Sequence, residues 1–418
     1  MLRWRIFGAA VAVIALVAVP TSGAGRSGVA ATPCSKTFSL ASSQDQGSGD
    51  NVIRAMASSS SKDVWAAGSF FNPNTGLNQT LIEHSINGTN FSILPSPNVA
   101  GDSNFLTGVV DLSPTNVWFV GDSVKDSGGN FVSSSTLVIH FDGHTSTIVS
   151  TPNVINPSAI NQNPNDSLFG IAALSPTNIV AVGNWVDAAT GKPHTLAEQW
   201  NGTKWVVQSN TPNPGVNGNS FFSVDPLSGP TPTFFFGGEA TNQSFNESPV
   251  LFSRPASPSG TYKSFKFPAS IAIGAPTHSV KYVLAKSATD IWVATDSTDQ
   301  NGLPKTLVAH LEGTAWKSYF GFYDKASTVL LGMARGAGSD IYAGGSSGVQ
   351  SFQDPTLIAK FSPAGVSHVP APSPGSAEDI FYGGTSVKTS SGSDIWFAGD
   401  YQNHGGPRRV LIVRACGL

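Results

Sequence analysis

The stretch Leu112-Ser-Pro-Thr-Asn-Val-Trp-Phe-Val-Gly121 recurs almost unchanged as Leu174-Ser-Pro-Thr-Asn-Ile-Val-Ala-Val-Gly183. Its first half is turn chemistry, because proline presets φ and asparagine tolerates a left-handed backbone. Its second half is a β-branched and aromatic run ending in glycine, which suits a buried strand better than a helix. The apolar marker returns as Asp63-Val-Trp-Ala-Ala-Gly68, Phe234-Phe-Phe-Gly237, Asp290-Ile-Trp-Val-Ala294, Asp340-Ile-Tyr-Ala-Gly344 and Asp394-Ile-Trp-Phe-Ala-Gly399. Aligned on Trp65, Trp118, Val180, Phe235, Trp292, Tyr342 and Trp396, seven copies follow one another at steps of 50 to 62 residues.

Working outward from the marker, each copy holds four short apolar segments. A run such as Phe105-Leu-Thr-Gly-Val-Val110 precedes it, and Thr136-Leu-Val-Ile-His140 follows a polar loop containing Gly. Asp142-Gly143, Asn87-Gly88 and Asn201-Gly202 then supply the positive-φ pair of a tight hairpin. The unit closes on Thr151-Pro-Asn153, with Ser96-Pro-Asn98 and Thr211-Pro-Asn213 as counterparts. Four antiparallel strands repeated radially make a propeller blade. The predicted fold is therefore all-β, a seven-bladed β-propeller with blades near 51–104, 105–160, 166–218, 219–272, 278–324, 327–374 and 378–418. The fourth copy is the most degenerate, its turn having become Ser228-Gly-Pro-Thr-Pro232.

The seventh copy ends after its third segment, Val410-Leu-Ile-Val-Arg414, four residues before the final Leu418. At the other end, residues 34–42 (Cys-Ser-Lys-Thr-Phe-Ser-Leu-Ala-Ser) belong to no complete unit and resemble an outer strand such as Lys204-Trp-Val-Val-Gln-Ser209. This N-terminal strand is expected to complete the last blade. Cys34 and Cys416, the only cysteines, stand at the two ends. They are predicted to form a disulfide across that seam, in line with an oxidising compartment.

Residues 1–31 read as a signal peptide: Arg3 and Arg5 precede an uncharged apolar run from Ile6 to Pro20, followed by small residues. That run is shorter than the ~20 residues of a membrane span. The expectation is a secreted bacterial protein, extracellular or cell-wall-associated, monomeric and without a membrane span once the signal is removed. Residues 32–418 hold 20 Lys and Arg against 26 Asp and Glu, a balance of −6, which offers no footprint for nucleic acid.

The strand order resembles the kelch and galactose-oxidase-like superfamily of propellers, whose second strand ends in Gly-Gly and whose fourth opens with Trp. Gly237-Gly238 and Gly344-Gly345 carry the first feature, Trp205 and Trp316 the second, while single glycines stand at 68, 121, 183 and 399. The resemblance implies architecture and no catalytic motif.

Specific chemistries find little support. Copper-radical oxidation needs a Cys cross-linked to Tyr, and both cysteines are terminal. Ser393-Asp394-Ile-Trp396 and Ser287-Ala-Thr-Asp290-Ile-Trp292 have the residue types of a sialidase box at the wrong spacing. Asp187-Ala-Ala-Thr-Gly-Lys192 reads as a hairpin loop rather than a quinone-binding turn. Ser297, Asp299, Asn301 and Gly302 imitate a calcium loop whose twelfth position is Val308 instead of a bidentate Glu. No Gly-x-Ser-x-Gly elbow occurs. No cofactor and no metal site is expected. His84, His140 and His310 share one repeat position with Gln199, Arg254, Lys360 and Arg414, which reads as a solvated strand face.

First strands line a propeller's channel, so Arg54, Asp111, Lys281, Lys286, Arg335 and Lys388 are the candidate channel-lining residues. The expected function is a non-enzymatic interaction module that presents loops on one face to an extracellular protein or glycan. The alternative is a polysaccharide hydrolase or lyase using charged residues at the channel. That alternative requires two carboxylates converging at one mouth.

Overall fold

The computed structural model describes residues 34–156, 163–257, 260–268, 271, 278–298, 304–319, 327–348 and 354–418. The segment read as a signal peptide lies outside them, as do Asp299, Asn301 and Gly302 of the calcium-like loop. The described residues form seven four-stranded antiparallel sheets and no helix. Blade 4, the degenerate copy, is a full sheet of Gly218–Leu227, Thr233–Thr241, Glu247–Pro255 and Lys263–Phe265.

The core is distributed between blades. Each of the seven apolar clusters draws its side chains chiefly from two neighbouring blades. Trp65 and Ile82 of blade 1, for example, pack with Phe119 and Ile139 of blade 2. The cluster of Ile53, Leu81, Trp396 and Ile412 joins blade 7 to blade 1. The ring is thereby closed by the same burial that holds every other pair. Closure is also covalent: Ser39–Leu40 pairs with Val413 and Arg414 as the outer strand of blade 7. Cys34 and Cys416 are disulfide-bonded with Cα atoms 5.7 Å apart.

The repeated residues have structural reasons. In the linker motif, the Asn side chain receives the Thr backbone N–H that opens the third strand: Thr80 to Asn98 at 2.8 Å, Thr136 to Asn153 at 3.0 Å, and Thr195 to Asn213 at 2.8 Å. These bonds fasten the crossovers that leave blades 1, 2 and 3 to those blades. The glycine ending the second strand lies against the first strand of its own blade. A Cβ on Gly68 would stand 1.9 Å from the Val52 carbonyl oxygen, and one on Gly399 1.9 Å from that of Ile380.

The shared histidine position is not a solvated face. His84 stacks on Trp65 at 3.8 Å, and Asp63 Oδ1 bonds both rings, accepting from Trp65 Nε1 at 3.0 Å and meeting His84 Nε2 at 2.7 Å. His140 repeats this with Trp118 and Asn116, while His310 stacks on Trp292 at 3.9 Å and meets Asp290 Oδ1 at 2.8 Å. Gln199 bonds Asn178, Lys360 pairs with Asp340, and Arg414 pairs with Asp394 over the Trp396 ring. A long polar side chain therefore covers the aromatic marker and is fixed by the Asp or Asn two residues before it. Blade 4 lacks the staple: Phe235 faces Ser253 and Thr233 stands where other copies have Asp or Asn, so Arg254 lies one residue past the shared position. Asp63→Ala strips buried Trp65 and half-buried His84 of their acceptor. It should cost about 2–3 kcal/mol, seen as a lower urea midpoint at unchanged m. His84→Gln should cost far less, since Gln199 already fills that role in blade 3.

Candidate active site at the channel mouth

Every first strand carries, away from its turn into the second, a residue bulged out of the ladder between them. These residues are Arg54, Thr107, Phe169, Phe222, Lys281, Leu331 and Tyr382. Together they line a single cavity of about 360 Å3 on the propeller axis. An unbulged strand in a radial blade turns its side chains toward the two neighbouring blades. A bulge re-aims one of them, here toward the axis. The residue after the bulge is small in six of seven blades: Ala55, Gly108, Gly170, Ser223, Gly332 and Gly383. A Cβ on Gly383 would stand 2.8 Å from Ala55 Cα. These small residues let neighbouring inner strands close around the cavity.

The cavity has two aromatic–cation stations, each built from an aromatic of one blade and the cation of the next. The Arg54 guanidinium lies 4.7 Å from the Tyr382 ring centre, and the Lys281 ammonium 3.6 Å from that of Phe222. Phe169 extends the second station, its ring centre 5.6 Å from Phe222.

Carboxylates gather around Lys281. Asp296 Oδ2 is 3.3 Å from its Nζ, and Asp296 Oδ1 accepts from the backbone N–H and hydroxyl of Ser279. Glu239 and Glu247 come from adjacent strands of blade 4. Thr241 faces Glu247, so Glu239 and Glu247 are diagonal neighbours on one sheet face. Such neighbours lie about 7–8 Å apart at the backbone, close enough for long acidic side chains to bring their carboxyls together. Burial raises the Glu239 carboxyl to about 7, with the Glu247 charge adding to it and Lys281 opposing. Burial also raises Glu247, and there the Lys281 ammonium is the first opposing influence. Three carboxyls beside one ammonium, which Asp296 already pairs, thus favour a state in which Glu239 holds a proton.

Across the mouth, the carboxylates are already committed. Arg408 binds Asp400 at 2.6 Å and also engages Glu378. Asp122 accepts from the Ser167 and Ser134 hydroxyls.

Of the channel candidates, Arg54 and Lys281 line the cavity. Asp111, Lys286, Arg335 and Lys388 stand at the opposite ends of their first strands, near the turns into the second. There they tie blades together. Asp111 accepts the Ser59 N–H at 2.7 Å, Arg335 reaches Asp225 at 2.7 Å and the Ala285 carbonyl at 3.0 Å, and Lys286 donates to the Gly338 carbonyl. Lys388 is exposed. The residues that sequence reading passed over are Phe169, Phe222, Tyr382, Glu239, Glu247 and Asp296. One signal was available for two of them: four residues past the aromatic marker the copies read Ser69, Asp122, Asn184, Glu239, Asp296, Ser346 and Asp400, a polar ring with four acids.

No family model matches this chain, and no curated protein does. Among solved structures it is similar to a protein of unknown function from Dyadobacter fermentans, at 9% identity and a TM-score of 0.52, covering 90% of this chain and 97% of that one. It is also similar to an α-L-arabinanase of Penicillium chrysogenum complexed with arabinobiose, at 10% identity and a TM-score of 0.49, covering 91% and 98%. A puromycin-hydrolyzing peptidase of Mycobacterium tuberculosis aligns at 12% identity and a TM-score of 0.49, over 91% of this chain and 55% of that one. At such identities the likeness is one of fold: this chain is a seven-bladed propeller of four-stranded blades.

Proposed function

We propose that this propeller is an exported glycan hydrolase working at the channel mouth, with Glu239 as general acid and Glu247 as the partner carboxylate. The observation that carries this reading is the Glu239–Glu247 diagonal beside Lys281 and the Phe222 ring. A sugar ring laid on the Phe222–Phe169 surface would meet both carboxyls. Glu239 would pass its proton to the leaving glycosidic oxygen while Glu247 takes one from the attacking water, so one water is added across the broken C–O bond. Asp296 acts as a positioning residue that holds the Lys281 ammonium. The disulfide supports an oxidising location outside the cytoplasm. The kelch-like strand order remains a likeness of architecture.

Reducing-sugar release from a panel of plant and microbial polysaccharides tests the reading. Glu239→Gln and Glu247→Gln should each lower kcat by about 10²–10⁴-fold, with the fold kept. Activity should fall as pH rises through about 7, because Glu239 must hold its proton to act; the Glu239→Gln residue of activity should lack that limb. A panel on which the unaltered protein releases no sugar overturns the proposal.

One feature favours the second reading, a binding module. Phe245 is 75% exposed and held at φ 60° in the blade 4 loop, two residues before Glu247. The loop is pinned by Asn242, whose side chain accepts the N–H groups of Ser244 and Asn246, and by Asn217. A strained, rigid, exposed aromatic beside the mouth suits contact with a partner. Glycan binding that survives Glu239→Gln, without any hydrolysis by the unaltered chain, would select this reading.

A further inference from the structure

The two cations of the cavity are differently placed. Lys281 has its counter-charge in Asp296 at 3.3 Å. Arg54 is exposed, and among the described residues it forms no ion pair and no hydrogen bond. The carboxylate whose titration it influences, Asp400, is fully buried and already bound by Arg408 at 2.6 Å. The Arg54 guanidinium instead lies over the Tyr382 ring, 4.7 Å from its centre, a cation–π contact that uses none of its N–H donors. A planar fork of donors held on an aromatic shelf matches a carboxylate in two-point fashion. It lines the cavity from blade 1, whereas Glu239 and Glu247 stand in blade 4, so it would touch a ligand at a point distinct from the bond to be broken.

We propose that the channel mouth takes a uronate-bearing glycan, with Arg54 binding the sugar carboxylate while a neighbouring sugar unit lies on Phe222. This rests on the glycan reading above and adds the acidic class of the chain. Neutral glycans would leave Arg54 without its counter-charge in a partly desolvated cavity, so discrimination should be strong.

The test uses the full mature chain carrying Glu239→Gln, so that ligands bind without turnover. Calorimetric titration with oligogalacturonate, alginate and hyaluronan fragments is compared with titration by the same oligogalacturonate after its carboxyls are reduced to alcohols. The expected result is binding of at least one acidic fragment, weakened at least 30-fold by carboxyl reduction and by Arg54→Gln. Arg54→Lys should recover part of the loss, and affinity should fall with added salt. Arg54 makes no core contact, and an unchanged melting temperature confirms its variants are folded; the carboxyl-reduced probe needs no variant at all. Equal binding of acidic and reduced fragments overturns the inference and leaves the hydrolase reading standing. Binding of acidic fragments that the unaltered enzyme never cleaves upholds the inference and removes the hydrolase reading. Absence of binding to every fragment removes the acidic-glycan inference, and hydrolysis of neutral polysaccharides then decides the hydrolase reading separately.

Discussion

Replacing Cys34 and Cys416 with serine is expected to lower stability by on the order of 5 kcal/mol and the melting temperature by roughly 6 °C. The cross-link spans 382 residues, so reduction frees almost the longest loop this chain can form, and loop entropy grows with length. The non-covalent part of the seam is slight. Ser39 and Leu40 pair with Arg414 and Val413, Ala41 donates to the Ile412 carbonyl at 2.9 Å, and Cys416 donates to the Ser35 carbonyl at 2.7 Å. Phe38 adds one apolar anchor among Tyr342, Phe397 and Phe381. A strand so briefly paired frays unless it is tied. Thermal melts with and without reductant check the magnitude, and hydrogen exchange should show the amides of Arg414 and residue 416, which face the N-terminal strand, losing protection before those of other third strands. Single Cys variants should match the double, since either removes the whole bond. A melting temperature that moves by less than 1–2 °C would show that the blade 7–blade 1 core alone closes the ring.

Architecture was legible because the repeat is written in residues with a single local job. Asn in Ser/Thr-Pro-Asn receives the third-strand amide, glycine after the marker makes room for the first strand, and the Asp–Trp–His staple covers an aromatic. Such roles are fixed by near neighbours, so they recur at constant offsets. The channel mouth was legible only in part. Its position follows from the bulge in each first strand, and a bulge is a register event without a residue signature: Arg54, Thr107, Phe169, Phe222, Lys281, Leu331 and Tyr382 share no chemistry. Charges on the first strands could be identified, but not which end of the strand they occupy on the working face. Arg335 and Lys286 therefore read the same as Arg54 until the register is known. Glu247, and the pairing of Glu239 with it, were hidden for another reason. Both residues lie in the copy whose turn sequence and marker residues depart most from the repeat. The staple that regularises other blades is absent there, and the departure coincides with the carboxylate pair.

The repeat also exposes two carboxyls that break its rules, and they carry the second large effect. Glu83 and Glu198 occupy the third-strand position just before the one that faces the marker, where other blades place Ile139, Phe252, Ala309, Ala359 and Val413. Both are fully buried, and none of their oxygens has a hydrogen-bond partner at normal distance. Burial raises each to about 8. The Gln44 backbone offsets part of this at Glu83, and the Thr136 hydroxyl part at Glu198, where Asp166 repulsion adds to it. The folded value thus exceeds the unfolded value of about 4.5. The native state holds more protons than the unfolded state between these limits, so stability must fall as pH rises. The contribution is whole below about 4.5, declines through neutrality, and is exhausted above about 8. At 1.36 kcal/mol per unit, each group would cost up to about 5 kcal/mol at pH 9, a ceiling that local relaxation reduces. Glu83→Gln with Glu198→Gln removes the titration and keeps the shape. Denaturant unfolding should show the double variant several kcal/mol more stable than the unaltered protein at pH 9, and within about 1 kcal/mol of it at pH 4. Parallel pH profiles for the two proteins would refute the assignment. A crossing in the opposite sense would mean that both carboxylates are paired when charged, each by a partner that the folded ring brings to it.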